Sequence, residues 1–500
     1  MFVPELLYRY KKLFKALIQQ DQGHHQDEIP GMKQVFWAHV LRIDLHSWVG
    51  LLSCLLVMLP VLMIPHPVVL LIASMMPLGL FLILRQPIVV CLIFILFSFF
   101  RIHEIFPSLD PLKIPKFSAI ASYFVLLWHI GLTRKVQLYW CHEMSLFFCF
   151  FSWVVVSILF SSYMPIAFDS FTSVYLKISI MLFAIAWLMT RAYHFRIAHL
   201  AIVFCGVSVG CVALYNQMNH IGLVESTRVT IPGTSLGDPN DLALVLSFPL
   251  SFAIALFMTE GTGKIAKGIG LVSFGICMLA IIATQSRGGL LASVAIMAFF
   301  AMKVIRSRLV VMSAGSFMLM LLMVVAGISE RQSGGDVSGR MDESAQGRIH
   351  AWETAINMTL HNPLTGVGLS LFLDNYWNYA RHAPDQGLAH VTHNTWLQIM
   401  SETGLVGFIL FLLLIAGIFR SIHRSVALLE QSRGSPYYDP YLLAIAMGTF
   451  VGLIGFCVSG TFLSQGFLWP FYIMAALGIA LAHFTDSNKM EVNRVELEKI

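Results

Sequence analysis

Charge is what this chain has least of. Only 12% of its 500 residues are Asp, Glu, Lys or Arg, against about 25% in an average soluble domain. That shortage excludes an ordinary water-soluble surface. The eight cysteines (Cys54, Cys91, Cys141, Cys149, Cys205, Cys211, Cys277 and Cys457) form no CxxC pair, and none falls in a long polar segment. A disulfide framework or a zinc site is therefore not indicated; they read as small apolar residues inside apolar runs. No cleavable leader is recognised, because a long polar stretch precedes the first apolar run. No repeat relates the two halves, which weighs against a transporter or flippase built on internal symmetry. Such carriers also place ionisable groups in mid-span, and here Lys177 and Glu402 are the exceptions among apolar spans.

What abounds is apolar. Hydrophobic residues make up 57% of the chain, and mean hydropathy is +0.76. The apolar runs lie near 47–64, 68–84, 87–100, 116–132, 143–161, 173–190, 197–215, 241–259, 268–284, 288–304, 309–328, 393–419, 440–459 and 466–484. A bilayer core of about 30 Å takes about 20 helical residues to cross. Unpaired backbone groups are too costly in lipid for open strands. The expected fold is an all-α polytopic membrane protein of about 12–14 transmembrane helices, the first two forming either two spans or one re-entrant pair. Threading these spans puts Arg9, Lys11, Lys12, Lys15, Lys33, Arg42, Arg85, Arg134, Arg191, Lys264, Lys303, Arg306, Arg420 and Lys489 on one side. Short basic loops mark the cytoplasm, so both termini are expected there. The net charge of +5 follows from this topology and calls for no nucleic acid. Leu6, Leu7, Tyr10, Leu13, Phe14 and Leu17, with Lys11, Lys12 and Lys15 between them, read as an amphipathic helix on membrane lipids or as a solvated tail.

The other side receives the segments 101–115, 162–172, 216–240 and 329–392. The second half of the chain concentrates its polar chemistry there. Glu225-Ser-Thr-Arg228 runs through Gly233, Gly237 and Asp238-Pro-Asn240-Asp241. Asn240 or Asp241 is expected to cap the next helix. Arg228 is either a stray arginine or a donor in an anion or sugar pocket. Arg287 stands between two spans with almost no loop, at the membrane–water boundary. Its planar fork suits a phosphate, and Gly288 and Gly289 would let backbone approach a ligand; the alternative is a snorkelling arginine.

The 329–392 loop holds Gly347-Arg348-Ile349-His350-Ala351-Trp352, continuing to Asn362-Pro363. At helical pitch Ile349, Trp352, Ile356 and Leu360 share one face, and His350, Glu353 and Asn357 the other. This predicts an amphipathic helix of three to four turns, with Arg348 in its first turn and ended by Asn-Pro. His393 and Asn394 open the next span, where Asn394, Gln398 and Glu402 recur at i, i+4, i+8 as a polar stripe pointing into the bundle. An imidazole near its ordinary pKa of about 6.5 can accept a hydroxyl proton at neutral pH.

Taken in order, these motifs resemble the O-antigen ligase/polymerase superfamily: Arg228…Gly-Asp-Pro-Asn240, Ser286-Arg287-Gly288, Gly347-Arg348…Trp352…Asn362-Pro363-Leu-Thr-Gly-Val-Gly368, and His393-Asn394…Glu402-Thr-Gly-Leu-Val-Gly407. The resemblance implies a bacterial inner-membrane glycosyltransferase with one large periplasmic loop containing short amphipathic helices. The donor it implies is an undecaprenyl-diphosphate-linked glycan. The acceptor is lipid A-core in a ligase, another carrier-linked glycan in a polymerase, or a protein hydroxyl in an O-oligosaccharyltransferase. Carried over by motif, His393 would activate the acceptor, and Arg287 and Arg348 would hold the diphosphate. Arg228, Asn240, Trp352, Asn394, Gln398 and Glu402 would line the substrate site. The family uses no metal or cofactor. The implied layout is a cytoplasmic tail at 1–46, N-terminal spans at 47–227, a catalytic region at 228–419 with its loop at 329–392, C-terminal spans at 420–484 and a cytoplasmic tail at 485–500.

Overall fold

Each apolar run from residue 86 onward becomes a helix, because a backbone in lipid must satisfy its polar groups within its own segment. The computed structural model describes residues 86–497 except 87, 99, 106–113, 135, 137, 326–340, 382–388 and 436–437. The expected N-terminal amphipathic helix and the spans at 47–64 and 68–84 lie outside the described residues. Residues 83–500 form one unit.

In chain order the helices are α1 (Ile88–Ser98), α2 (Ile102–Ile105), α3 (Ile114–Gly131), α4 (His142–Leu159) and α5 (Met164–Ser170), which runs through a π turn (Phe171–Tyr175) into α6 (Leu176–Leu188). Then come α7 (Ala192–Met218), α8 (Pro239–Met258), α9 (Lys264–Thr284), α10 (Arg287–Val304), α11 (Arg308–Val325) and α12 (Met341–His361). The last are α13 (Tyr376–Tyr379), α14 (Thr395–Gln431), α15 (Pro440–Ser459) and α16 (Trp469–Leu497). No strand occurs among the described residues. Eight of these segments are long and apolar enough to cross a membrane. The protein is an all-α, multi-pass membrane protein.

Burial separates two kinds of span. On α8, Leu242 to Leu256 are buried almost all round, between α7, α9, α10 and α15. Small residues allow that depth: Ser251 Oγ donates to the Gly448 carbonyl at 2.9 Å, tying α8 to α15. By contrast α9 leaves Ile265, Ile269, Val272 and Leu279 exposed along one stripe, as a lipid-facing helix must. Such a stripe is apolar because its solvent is hydrocarbon.

The long helix α14 is broken. Gly404 takes φ 73° and ψ −177°, a region open essentially to glycine, and a Cβ there would collide with the Leu364 carbonyl. The break frees carbonyls that distant groups then satisfy. Val367 N donates to Ser401 O at 2.9 Å, Gly368 N to Glu402 O at 3.0 Å, and Leu405 N to Pro363 O at 2.8 Å. Trp153 Nε1 of α4 donates to Thr403 O at 3.0 Å. Ser157 Oγ lies 2.7 Å from Thr365 O and 2.8 Å from Glu402 O. The Pro363–Gly368 turn is thus seated in a notch of a transmembrane helix, and that seat holds α12 in place.

The segments assigned from sequence to one side do converge at one end. Glu104 accepts from Ser235 N at 2.6 Å, Ser162 Oγ donates to Asn375 Oδ1 at 3.0 Å, and Gln465 Nε2 donates to Asp241 Oδ1 at 2.7 Å.

Candidate active site

The site is built where the 219–238 loop, the α9–α10 turn, α12 and the start of α14 meet. Asp238, not Asn240 or Asp241, caps α8: its Oδ1 accepts from Asn240 N at 2.6 Å, with Pro239 at the first helical position, where a missing N–H costs nothing. Asp241 instead accepts from Gln465.

Asn240 is released for another task. Its Oδ1 accepts from Arg228 Nη2 at 3.1 Å and from Ser286 Oγ at 2.8 Å. Ser286 in turn caps α10 by accepting from Gly289 N at 3.3 Å. Arg228 also donates Nε to the Thr284 carbonyl at 3.1 Å and is 8% exposed. Arg228 and Asn240 therefore knit the loop, α8 and the α9–α10 turn into one piece.

The sharp turn at 284–287 is made by Gln285, at φ 50°, rather than by the glycines. Gly288 and Gly289 lie inside α10 and back onto Phe462 and Ala243, so they serve helix packing and not close approach to a ligand. Arg287, the first residue of α10, is exposed. It makes no hydrogen bond or ion pair with the described residues. One turn thus holds a buried, bonded arginine and, three residues beyond the Thr284 carbonyl that it grips, an arginine open to a ligand.

α12 begins at Met341, so Arg348 lies seven residues inside the helix and not in its first turn. Its apolar face is also turned otherwise than a water-soluble amphipathic helix requires: Ile349, Ile356 and Leu360 are exposed, while Ala351, Ala355 and Met358 are fully buried. Two contacts zip α12 to the strand-like stretch before α14. Trp352 Nε1 donates to the Thr392 carbonyl at 2.9 Å. A Cβ on Gly347 would come within 2.9 Å of the His390 ring, so the ring lies against the bare glycine backbone. Arg348 follows Gly347 and His393 follows Thr392, so the same zipper brings the arginine and the histidine together.

His393 itself sits at φ 43°, half-buried ahead of α14. Burial pulls its pKa below the ordinary value; the Arg348 guanidinium and the His390 imidazole act in the same direction, and the carboxylate of Asp238 opposes them. Its imidazole is therefore neutral at pH 7, the form that accepts a proton. Groups from three segments thus act on this one imidazole.

The remaining predicted residues have partners inside the protein. Asn394 Oδ1 caps α14 by accepting from Trp396 N and Leu397 N at 3.0 and 3.1 Å. Gln398 Oε1 accepts from Gly466 N at 3.1 Å. Glu402, 2% exposed, accepts from Ser370 N at 2.7 Å. The stripe does point into the bundle, but its acceptors are occupied by backbone amides.

Sequence reasoning passed over Asp238, Thr392 and Glu104. Asp-Pro ahead of an apolar run was a readable cap signal. Glu104 was not: it holds Ser235 across 131 residues and pairs with Arg101 at 2.7 Å. Burial raises its pKa, but the Ser235 amide and Arg101 outweigh burial and hold it below the ordinary carboxylate range.

The structure thus joins a multi-pass helical bundle, an exposed arginine at a helix start and a histidine beside a second arginine at one end of the molecule. Residues 272–412 match the O-antigen ligase family, and over that segment the resemblance read from the motifs to the O-antigen ligase superfamily holds. The similarity covers less than a third of the chain. The matched segment contains Arg287, Arg348, Trp352, His393, Asn394, Gln398 and Glu402, and leaves Arg228 and Asn240 outside it. No curated protein matches the chain.

Proposed function

We propose that this protein transfers a glycan from an undecaprenyl-diphosphate carrier at the periplasmic face of the inner membrane, ligating O-antigen to lipid A-core. The observation that carries this reading is the neutral His393 held against Arg348 by the Trp352–Thr392 and Gly347–His390 contacts, with Arg287 open on the same end of the bundle. His393 takes the proton of the acceptor hydroxyl as its oxygen attacks the anomeric carbon. The bond from that carbon to the carrier phosphate breaks, and its electron pair leaves with the diphosphate. Arg287 and Arg348 meet the developing negative charge, a role in which fixed donors are worth most.

Arg228 and Asn240 act at one remove in this scheme. They hold Ser286, and hence Arg287, in position. Trp352 positions His393 through Thr392. Asn394, Gln398 and Glu402 keep the start of α14 and the Gly404 break in shape.

Deletion of the gene, followed by complementation with wild type or His393→Ala, tests the reading by the host's lipopolysaccharide on a gel beside its carrier-linked glycan. Loss of the whole ladder from lipid A-core, with long polymer retained on the carrier and no rescue by His393→Ala, is the expected result. A ladder collapsed to one repeat unit would make the protein a polymerase, and an unchanged ladder would remove it from lipopolysaccharide assembly.

A further inference from the structure

The exposed apolar stripe on α12 has no place in the transfer chemistry. Ile349, Ile356 and Leu360 are 52%, 44% and 68% exposed, and Leu364 just beyond the helix is 65% exposed. Asn357 and Thr354, on other sides of the helix, are buried. A helix that buries Asn and Thr while exposing Ile and Leu is not facing water on its open side.

Where that stripe sits relative to the bundle is fixed by hydrogen bonds. The Pro363–Gly368 turn is bonded to α14 at its break and to Ser157 of α4. Ser157 lies two residues from the end of α4, a helix long and apolar enough to cross a membrane. The end of α12 is therefore level with the end of a transmembrane helix. The apolar surface also continues from one to the other. Leu159 and Phe160 at the end of α4, Tyr163 just ahead of α5, and Met164, Ile166 and Phe168 on α5 are all exposed. Ser161 packs against Gly368, and Ser162 bonds to Asn375, so these two exposed apolar segments are physically joined. A tyrosine within the belt suits the level where hydrocarbon meets head groups.

We infer that α12 is an interfacial helix, with its Ile349–Ile356–Leu360 stripe and Leu364 seated among the acyl chains of the bilayer leaflet on that side, as one shelf with the α4–α5 corner. Interfacial helices bury an apolar face a few ångströms into the head-group boundary. Glu353, one turn after Ile349 and one turn before Ile356, is the one exposed carboxylate on this side of the helix among the described residues, 4.0 Å from His350, and its side chain is long enough to reach up to the head groups. The lipid contact stands apart from the transfer reading; its consequence rests on that reading. Arg348 adjoins Ile349 in the chain, and Trp352 holds Thr392, so the leaflet itself sets the height of Arg348 and His393 above the membrane.

The test uses full-length protein, purified without carrier lipid, in nanodiscs of phosphatidylethanolamine and phosphatidylglycerol. A photoreactive p-benzoylphenylalanine is placed singly at Ile356 or Leu360, at Phe204 on α7 as the lipid-facing reference, and at Ser226 in the 219–238 loop as the background. Intact-mass analysis after illumination should show phospholipid adducts at Ile356 and Leu360 in yields close to Phe204 and several-fold above Ser226. Background yields at both sites, with Phe204 labelled, would overturn the inference. So would adducts to a second copy of the chain, or adducts that form only when an undecaprenyl lipid is added. None of these readouts depends on glycan transfer, so this inference and the proposed function can fail separately.

Discussion

The two ends of the helical bundle place several of their charged side chains differently. At the end opposite α12, charges meet on the surface: Lys303 with Glu430 at 2.9 Å, Arg424 with Asp486 at 3.2 Å and Arg433 with Glu260 at 3.8 Å, each side chain at least a third exposed. Such pairs contribute about 0–1 kcal/mol each. At the α12 end, side chains from distant parts of the sequence satisfy backbone groups inside the protein, as Arg228 does at Thr284 and Glu402 at Ser370. A buried polar group without a partner costs about 1–3 kcal/mol, so these bonds fix positions that surface pairs cannot. The comparison shows which polar residues are left over. Once Arg228, Asn240, Asn394, Gln398 and Glu402 are assigned to the framework, Arg287 and His393 remain available to a substrate.

That contrast can be broken at several points. The largest effect is expected from His393→Ala, which should lower transfer by about 10²–10⁴-fold if it removes a general base, read as single-turnover rate on carrier-linked glycan; near-normal turnover would remove the assignment. Next comes Arg287→Ala, expected to cost about 10²–10³-fold in turnover, the scale of a lost transition-state donor. Arg287→Lys should recover only part of that loss, since an ammonium lacks the two parallel donors, and full activity would exclude bidentate recognition.

Gly404→Ala should lower thermal stability by at least about 1–3 kcal/mol, the cost of a non-glycine residue in that backbone region, and a cooperative melt at the wild-type temperature would contradict the notch as the seat of α12. The pH profile sharpens the comparison further. Protonated His393 is no base, and its pKa is depressed, so transfer should fall on the acid side with a midpoint below about 6.5. Arg348→Gln removes a neighbouring cation and should move that midpoint to higher pH; Asp238→Asn, which can still cap α8, should move it lower. The smallest effect belongs to Lys303→Ala at the other end, within about 1 kcal/mol in melting experiments and without change in transfer.

Much of the fold was legible because lipid imposes a simple rule on sequence. Every expected span from residue 86 on corresponds to a helix, and the segments assigned to one side meet at one end. The break in α14 was not legible. Residues 395–431 read as one apolar run opening on a polar stripe, and only the arrival of Pro363–Gly368 from the loop shows why Gly404 is there. The site was legible in its residue types more than in their tasks. Arg228 and Arg287 look alike in sequence; what separates them is that Thr284 and Asn240 are within reach of the first and of neither group's equivalent for the second. Gly288-Gly289 suggested a turn because glycine is compatible with both turns and tight helix packing, and Gln285 makes the turn instead. α12 was found by its periodicity, but periodicity alone does not say which solvent an apolar face meets.

The division between framework and reacting groups is tested most directly by measuring transfer and thermal unfolding side by side for Arg287→Ala and Arg228→Ala in the same bilayer. The account predicts that Arg287→Ala unfolds at the wild-type temperature and loses turnover, whereas Arg228→Ala unfolds at a lower temperature because Thr284 and Asn240 lose their donor. A stable, inactive Arg228→Ala protein, or an Arg287→Ala protein that is destabilised yet turns over normally, would contradict it.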